Sequence, residues 1–218
     1  MKKYLFIAFA ILIASPFLFA QPEKTKYPEP EFSDEVYYLK KDSTNTAMRL
    51  EKGSSKMETK TKMGGMGGSE SGYILDGEKS TVRLKTGGSL SFIIFKGSGG
   101  SNTSLRTDSM MKANGIDPSE MSGMMGSMND PSNTITLYKV ETEKGKRKIY
   151  MMKSGGAMPF SSHKMQSSDK YTFSVRKIRE GYWELVIDKT LPKGEYAFSM
   201  MGMGNMDGST TLFAFGID

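Results

Sequence analysis

The chain has 218 residues, no cysteine, one histidine and a formal net charge of +6. Without cysteine there is no disulfide framework and no thiol chemistry, and with a single histidine most zinc and triad schemes lack parts. Lys and Arg number 30 against 24 Asp and Glu, too mild and too scattered a bias for a nucleic-acid face.

Lys2 and Lys3 precede an uncharged, mostly apolar run over 4–19, with Leu18 and Ala20 where a signal peptidase accepts an aliphatic and then a small residue. Residues 1–20 are therefore expected to be a signal peptide, cleaved between Ala20 and Gln21. The run falls short of the roughly 20 residues that cross a bilayer, and Pro16 suits a cleavage region better than a helix core. With no cysteine to acylate, a lipoprotein is excluded. The expected product is exported, periplasmic or secreted, with no membrane anchor after cleavage. It would hold 198 residues (218 minus 20), enough for one sizeable domain or two small ones.

Residues 21–33 carry Pro22, Pro28 and Pro30 among charges and read as an extended linker. From Asp34 the chain becomes a series of short alternating runs separated by Gly, Ser and Asn. The period of two predicts strands over 36–40, 134–141, 147–152, 171–177, 182–187, 195–200 and 210–217. Two more, 80–85 and 90–95, read as a pair around a Gly87-Gly88 turn. Glu143-Lys144-Gly145-Lys146 and Arg179-Glu180-Gly181 read as hairpin turns, and Pro192-Lys193-Gly194 as a further turn. Helix is scarce. Asp117 as N-cap, Pro118 at the first helical position and Glu120 three residues after the cap suit a short helical insert near 107–125.

The expected fold class is all-β, an antiparallel sandwich or barrel-like β domain over 34–218 with that small insert. Val36-Tyr37-Tyr38-Leu39-Lys40 resembles Ile135-Thr136-Leu137-Tyr138-Lys139 at an offset of 99. A duplication would give two similar β-units, 34–97 and 134–218, around a Met/Gly-rich connector over 98–133. Coincidence among short strand patterns explains the same similarity.

Methionine is the unusual residue. Leaving out Met1, all 18 others of the 19 lie from Met48 onward, mostly in glycine-rich segments. The groups that suit a metal are Met63 and Met66, then Met121, Met124, Met125 and Met128, and then Met201, Met203 and Met206. His163, the only histidine, lies two residues before Met165 and adds an imidazole. A thioether is a soft, uncharged ligand that favours Cu(I) or Ag(I) over zinc and hard cations. Packing competes with this reading, because methionine is an adaptable gap-filler, Met200 and Met201 continue a strand and Met151 and Met152 end one. An oxidant sink that forms sulfoxides and an adaptable apolar surface complete the alternatives.

Catalytic signatures are missing. There is no Gly-x-Ser-x-Gly and no His-Glu-x-x-His, and the glycines at 72 and 77 are one residue out of register for a P-loop. The cluster Lys144, Lys146, Arg147 and Lys148 reads as a solvated hairpin tip. Trp183 suits stacking on a sugar, although a lone tryptophan in a strand is more often core.

The stretches Leu191-Pro-Lys-Gly-Glu-Tyr-Ala-Phe198 and Leu212-Phe-Ala-Phe-Gly-Ile-Asp218 carry a resemblance, together with Asp76-Gly-Glu-Lys-Ser80 and Asp130-Pro131. The chain resembles a group of secreted β-rich proteins of Gram-negative bacteria with this C-terminal pattern. That resemblance implies export and a β fold; its motifs are turns and strands, so it implies no activity. The expected function is that of an exported, non-enzymatic binding or structural module of the cell envelope, with an envelope protein or polysaccharide as partner. No nucleic acid and no resident cofactor are expected. Cu(I) or Ag(I) binding through the methionines and His163 is the alternative.

Overall fold

The computed structural model describes residues 27–62, 68–85, 87–96, 130–155, 165–200 and 208–218. The signal segment 1–20 and the helical insert near 107–125 lie outside the described residues.

In chain order the elements are β1 (Val36–Lys40), β2 (Thr46–Arg49), β3 (Glu51–Lys56), β4 (Glu58–Thr61), β5 (Gly68–Asp76), β6 (Arg83–Leu84) and β7 (Leu90–Phe95). After these come α1 (Pro131–Thr134), β8 (Ile135–Glu143), β9 (Lys146–Gly155), β10 (Met165–Gln166), β11 (Lys170–Tyr171), β12 (Ser174–Arg179), β13 (Tyr182–Ile187), β14 (Gly194–Met200) and β15 (Ser209–Ile217). The protein is all-β. A five-stranded sheet has the order β12-β13-β7-β1-β2, and a larger one the order β3-β15-β14-β8-β9-β5-β4.

The larger sheet curls into a barrel-like shape. Strands β3 and β4 are one stretch of chain interrupted at Met57; β3 pairs with β15 at one edge and β4 with β5 at the other. The Ile74 amide donates to Ser55 Oγ at 2.8 Å, tying β5 to β3 where the edges meet. So tight a curl needs small side chains. A Cβ at Gly53 would stand 2.4 Å from Leu75 Cδ2, and one at Gly72 would stand 2.0 Å from the Ile149 carbonyl oxygen. The register of β5 against β9 slips between Ser71 and Gly72, a bulge that bends the strand.

Strands β8 and β9 pair only near their turn, at Glu141, Thr142 and Glu143. Beyond that they splay, and the chain from Met165 to Tyr171 enters the gap, with β10 on β9 and β11 on β8. Ser168 joins the two, its amide donating to the Tyr150 carbonyl and its Oγ accepting from the Tyr150 amide.

Alternation along each strand creates three apolar layers. Between the sheets, Val36, Phe92, Ile94, Leu185 and Ile187 meet Leu137, Tyr196, Phe198, Phe213 and Phe215. Phe92 packs edge-on to Phe198 with centroids 4.9 Å apart, a favoured aromatic geometry. The opposite face of the curled sheet encloses smaller residues: Leu75, Val140, Ile149, Ala197, Leu212 and Ala214. On the outer face of the five-stranded sheet Tyr37, Leu39, Ile93 and Tyr182 form the third layer. The described end of the proline-rich segment lies across this layer. Tyr27 meets Tyr182 edge-on, the Tyr182 hydroxyl donates to the Pro28 carbonyl at 2.5 Å, and the Phe32 amide donates to the Tyr37 hydroxyl.

Several expectations change. Residues 80–85 and 90–95 do not pair with each other. Strand β6 is only two residues long and runs parallel to β15, while β7 lies between β1 and β13. The reason is burial: Leu90, Phe92, Ile93 and Ile94 are buried on both faces of β7, which demands a strand on either side and a layer above and below. The expected strand 171–177 is broken at Thr172 and Phe173, where the chain leaves the curled sheet for the edge of the other. Strands of the two candidate halves interleave in both sheets; β7 sits between β1 and β13, and β3 pairs with β15. The turn at Lys144 and Gly145 is as expected, with φ of 53° and 77° at its two central residues.

Candidate functional site at the open end of the curled sheet

One end of the curled sheet is plugged. Arg147 on β9 is 2 % exposed and points inward beside Leu75. Its Nη2 donates to the Asp76 carbonyl at 2.8 Å, its Nε to the Gly77 carbonyl at 3.2 Å, and the guanidinium pairs with Glu51. The basic cluster read as a hairpin tip thus contains a buried structural arginine. Glu51 is held below the usual carboxylate range: burial alone raises its pKa, and the bonds from Arg147, Ser80 and Thr81 outweigh it.

The other end is open. Its described walls enclose a cavity of about 280 Å³, lined by Tyr73, Thr136, Tyr138, Met151, Ser199 and Thr210, with α1 and Gly208 at the rim. The inward face changes chemistry along each strand. On β15 it reads Thr210, Leu212, Ala214, and on β8 it reads Thr136, Tyr138, Val140, from the mouth toward the plug. Ser199 and Thr210 share a hydrogen bond of 3.1 Å, and Thr210 also bonds the Met200 carbonyl. The hydroxyls of Tyr73, Thr136 and Tyr138 have no hydrogen-bond partner among the described residues. Tyr138 is only 6 % exposed. Its hydroxyl stays accessible from the cavity, so the mouth retains polar capacity that a ligand or water satisfies.

No charged side chain lines the cavity among the described residues. Two ammonium groups touch lining residues without joining the lining. Lys96 donates to Thr134 Oγ1 at 2.7 Å, and Lys170 lies 5.7 Å from the Tyr138 ring centroid. Burial lowers the Lys96 pKa, while Asp34 and Asp130 oppose that shift. A second concavity, on the outer wall between Glu70, Gly72, Lys148 and Tyr150, measures about 20 Å³ and suits a single water.

The metal candidates Met63, Met66, Met121, Met124, Met125, Met128, Met201, Met203, Met206 and His163 all lie outside the described residues. Of the described residues that bound those stretches, Gly208 is at the rim of the cavity. Lys62 bonds Gly68 across 63–67, Met165 pairs beside Gly155 across 156–164, and Met200 and Gly208 bound 201–207. Lys96 and Asp130, which bound 97–129, are joined through Thr134. Of the described methionines, Met151 lines the cavity, Met200 is buried between the sheets, and Met48, Met57, Met152 and Met165 are exposed. Among the described residues no three His, Cys, Asp or Glu side chains are grouped to hold a metal ion. Trp183 is half-buried and packs on the inter-sheet core.

Sequence reasoning missed Tyr73, Thr136, Tyr138, Ser199 and Thr210 as lining residues. The alternation puts them on one strand face with Leu75, Val140, Ala197 and Leu212, but carries no signal that this face turns inward.

No protein-family model matches the chain, and no curated protein or solved structure matches it.

Proposed function

We propose that the chain is an exported, non-enzymatic binding module of the cell envelope, and that the open end of the curled sheet is its binding face. The observation that supports this is the cavity of about 280 Å³, plugged at the far end by Arg147 and lined at the mouth by hydroxyls without a charged neighbour in the lining. Mouths of β-barrels are favoured ligand sites because rigid strands hold the lining while loops vary at the rim. Ser199 and Thr210 hydrogen-bond each other, an arrangement that recognises a ligand and supplies no general base. The test is an amide-resolved NMR titration of the chain beginning at Gln21 with a mixed fragment library. Shifts concentrated at Thr136, Tyr138, Ser199 and Thr210 are expected; shifts confined to the five-stranded sheet overturn the assignment.

A second reading is soft-metal binding through methionine. It draws support from Met151 in the cavity wall and from Gly208, which bounds the stretch 201–207, at the rim. Titration with Cu(I) under reducing conditions tests it; a dissociation constant no tighter than micromolar rules it out.

A further inference from the structure

We infer that the mouth takes a small uncharged molecule bearing several hydroxyl groups, a monosaccharide or a cyclic polyol. The inference rests on the mouth being the binding face and names the chemistry that face fits. Size is the first constraint. A cavity of about 280 Å³ is the room of roughly nine liquid waters, which admits a ligand or a terminal unit of about a dozen non-hydrogen atoms.

Charge is the second. A carboxylate or phosphate ligand is ordinarily met by a cation in direct contact, and an ammonium ligand by a carboxylate. The described lining offers neither. Lys96 is engaged with Thr134, and Lys170, the register partner of Tyr138, lies over the Tyr138 ring; neither belongs to the described lining.

Hydrogen-bonding capacity is the third. Thr136, Tyr138, Tyr73, Ser199 and Thr210 present hydroxyls, each able to donate and to accept, and three of the five have no partner among the described residues. A ligand of hydroxyls matches such a wall in more than one orientation, and the two phenol rings and the Met151 thioether give the C–H faces of a sugar ring an apolar surface. A purely apolar ligand would leave the Tyr138 hydroxyl buried and unpaired. The sugar-stacking role considered for Trp183 thereby passes to Tyr73 and Tyr138, because Trp183 packs on the core between the sheets.

The experiment uses the chain beginning at Gln21 and follows its amide resonances with glucose and myo-inositol as neutral probes. Glucuronate is the anionic probe, glucosamine the cationic one and cyclohexanol the apolar one. The expected result is millimolar binding of a neutral polyol at the mouth, at least ten-fold tighter than its charged or apolar counterparts. Thr136→Val, near-isosteric, and Tyr138→Phe, which keeps the ring, should each weaken it about ten-fold with the melting temperature of the free protein checked in parallel. Tighter binding of glucuronate, glucosamine or cyclohexanol at the same resonances overturns the ligand class and leaves the mouth as the binding face. Absence of mouth shifts with these probes, while the mixed library does shift the mouth, also overturns the class alone. If neither set shifts the mouth, both readings fall.

Discussion

Of the four charged residues buried among the described ones, Arg147 and Glu184 are the most deeply buried. Arg147 closes one end of the curled sheet, and its removal would take the paired cation from Glu51 and a side-chain donor from two backbone carbonyls. Breaking a buried pair by deleting one partner costs more than the pair contributes, so Arg147→Ala is expected to lose about 3–5 kcal/mol in urea unfolding. Glu184 is the second. It is fully buried on the outer face of the five-stranded sheet, bonded by the Tyr27 hydroxyl at 3.0 Å and by Arg176, with Lys41 Nζ 2.8 Å from Oε1. That last contact is Coulombic and not an aligned hydrogen bond. Burial alone raises the Glu184 pKa, and the cations and Tyr27 bring it below the ordinary value. A lowered folded pKa contributes stability above the unfolded value of about 4.3, and that contribution is lost as pH falls through the folded pKa. Glu184→Gln should therefore cost about 1–2 kcal/mol at pH 7, allowing for the solvent exposure of Arg176 and Lys41. The gap in melting temperature between variant and wild type should close as pH drops below about 4. A gap that stays constant across that range would contradict the assignment.

At the scale of elements, the continuous stretch of β3 and β4 joins both edges of the larger sheet, and its small residues make that possible. Gly53 lies against Leu75, and Ser55 accepts the Ile74 amide. Gly53→Val forces the strand away from β5 and should destabilise by about 2–3 kcal/mol, as overpacking does. Because the mouth is built on the same strands, the variant should also broaden the amide resonances of Tyr73 and Thr210, a readout that a purely local strain would not produce. The entry of 165–171 between β8 and β9 widens the curl on the side where Tyr138 and Met151 face the cavity. Without that insertion β8 and β9 would pair along their length and bring those walls together.

For the whole molecule, one face of the curled sheet serves the inter-sheet core and the other encloses the cavity, so a single set of strands provides both stability and site. The proposed export is tested on the intact gene product. The mass of the protein recovered from the periplasm or medium should correspond to a chain beginning at Gln21, and recovery of a chain beginning at Met1 from the cytosol would refute it. Legibility in the sequence followed the local pattern. Strands β1, β7 and β13 were readable to the residue, because aromatic and β-branched side chains alternate there. Strands β3, β4 and β5 were not, because Gly, Ser, Thr, Lys and Glu dominate them and read as loop, and β2 is only four residues long. The lining hydroxyls were hidden for a related reason. Thr136, Ser199 and Thr210 fall at polar positions of the alternation, which sequence reasoning assigns to solvent and the curl turns inward.

The amino-acid sequence by itself determined the all-β character, most strand positions and the hairpin turns, because these depend on period-two alternation and on the local φ of Lys144, Gly145 and Gly181. Only the tertiary structure decided which strands pair, that β6 joins β15 and not β7, and that the larger sheet curls until β3–β4 meets both edges. Pairing depends on contacts between residues far apart in the chain, and curvature on how closely small side chains let strands approach. Neither is encoded in any short window. The inward turn of the hydroxyls at the mouth is a product of that curvature.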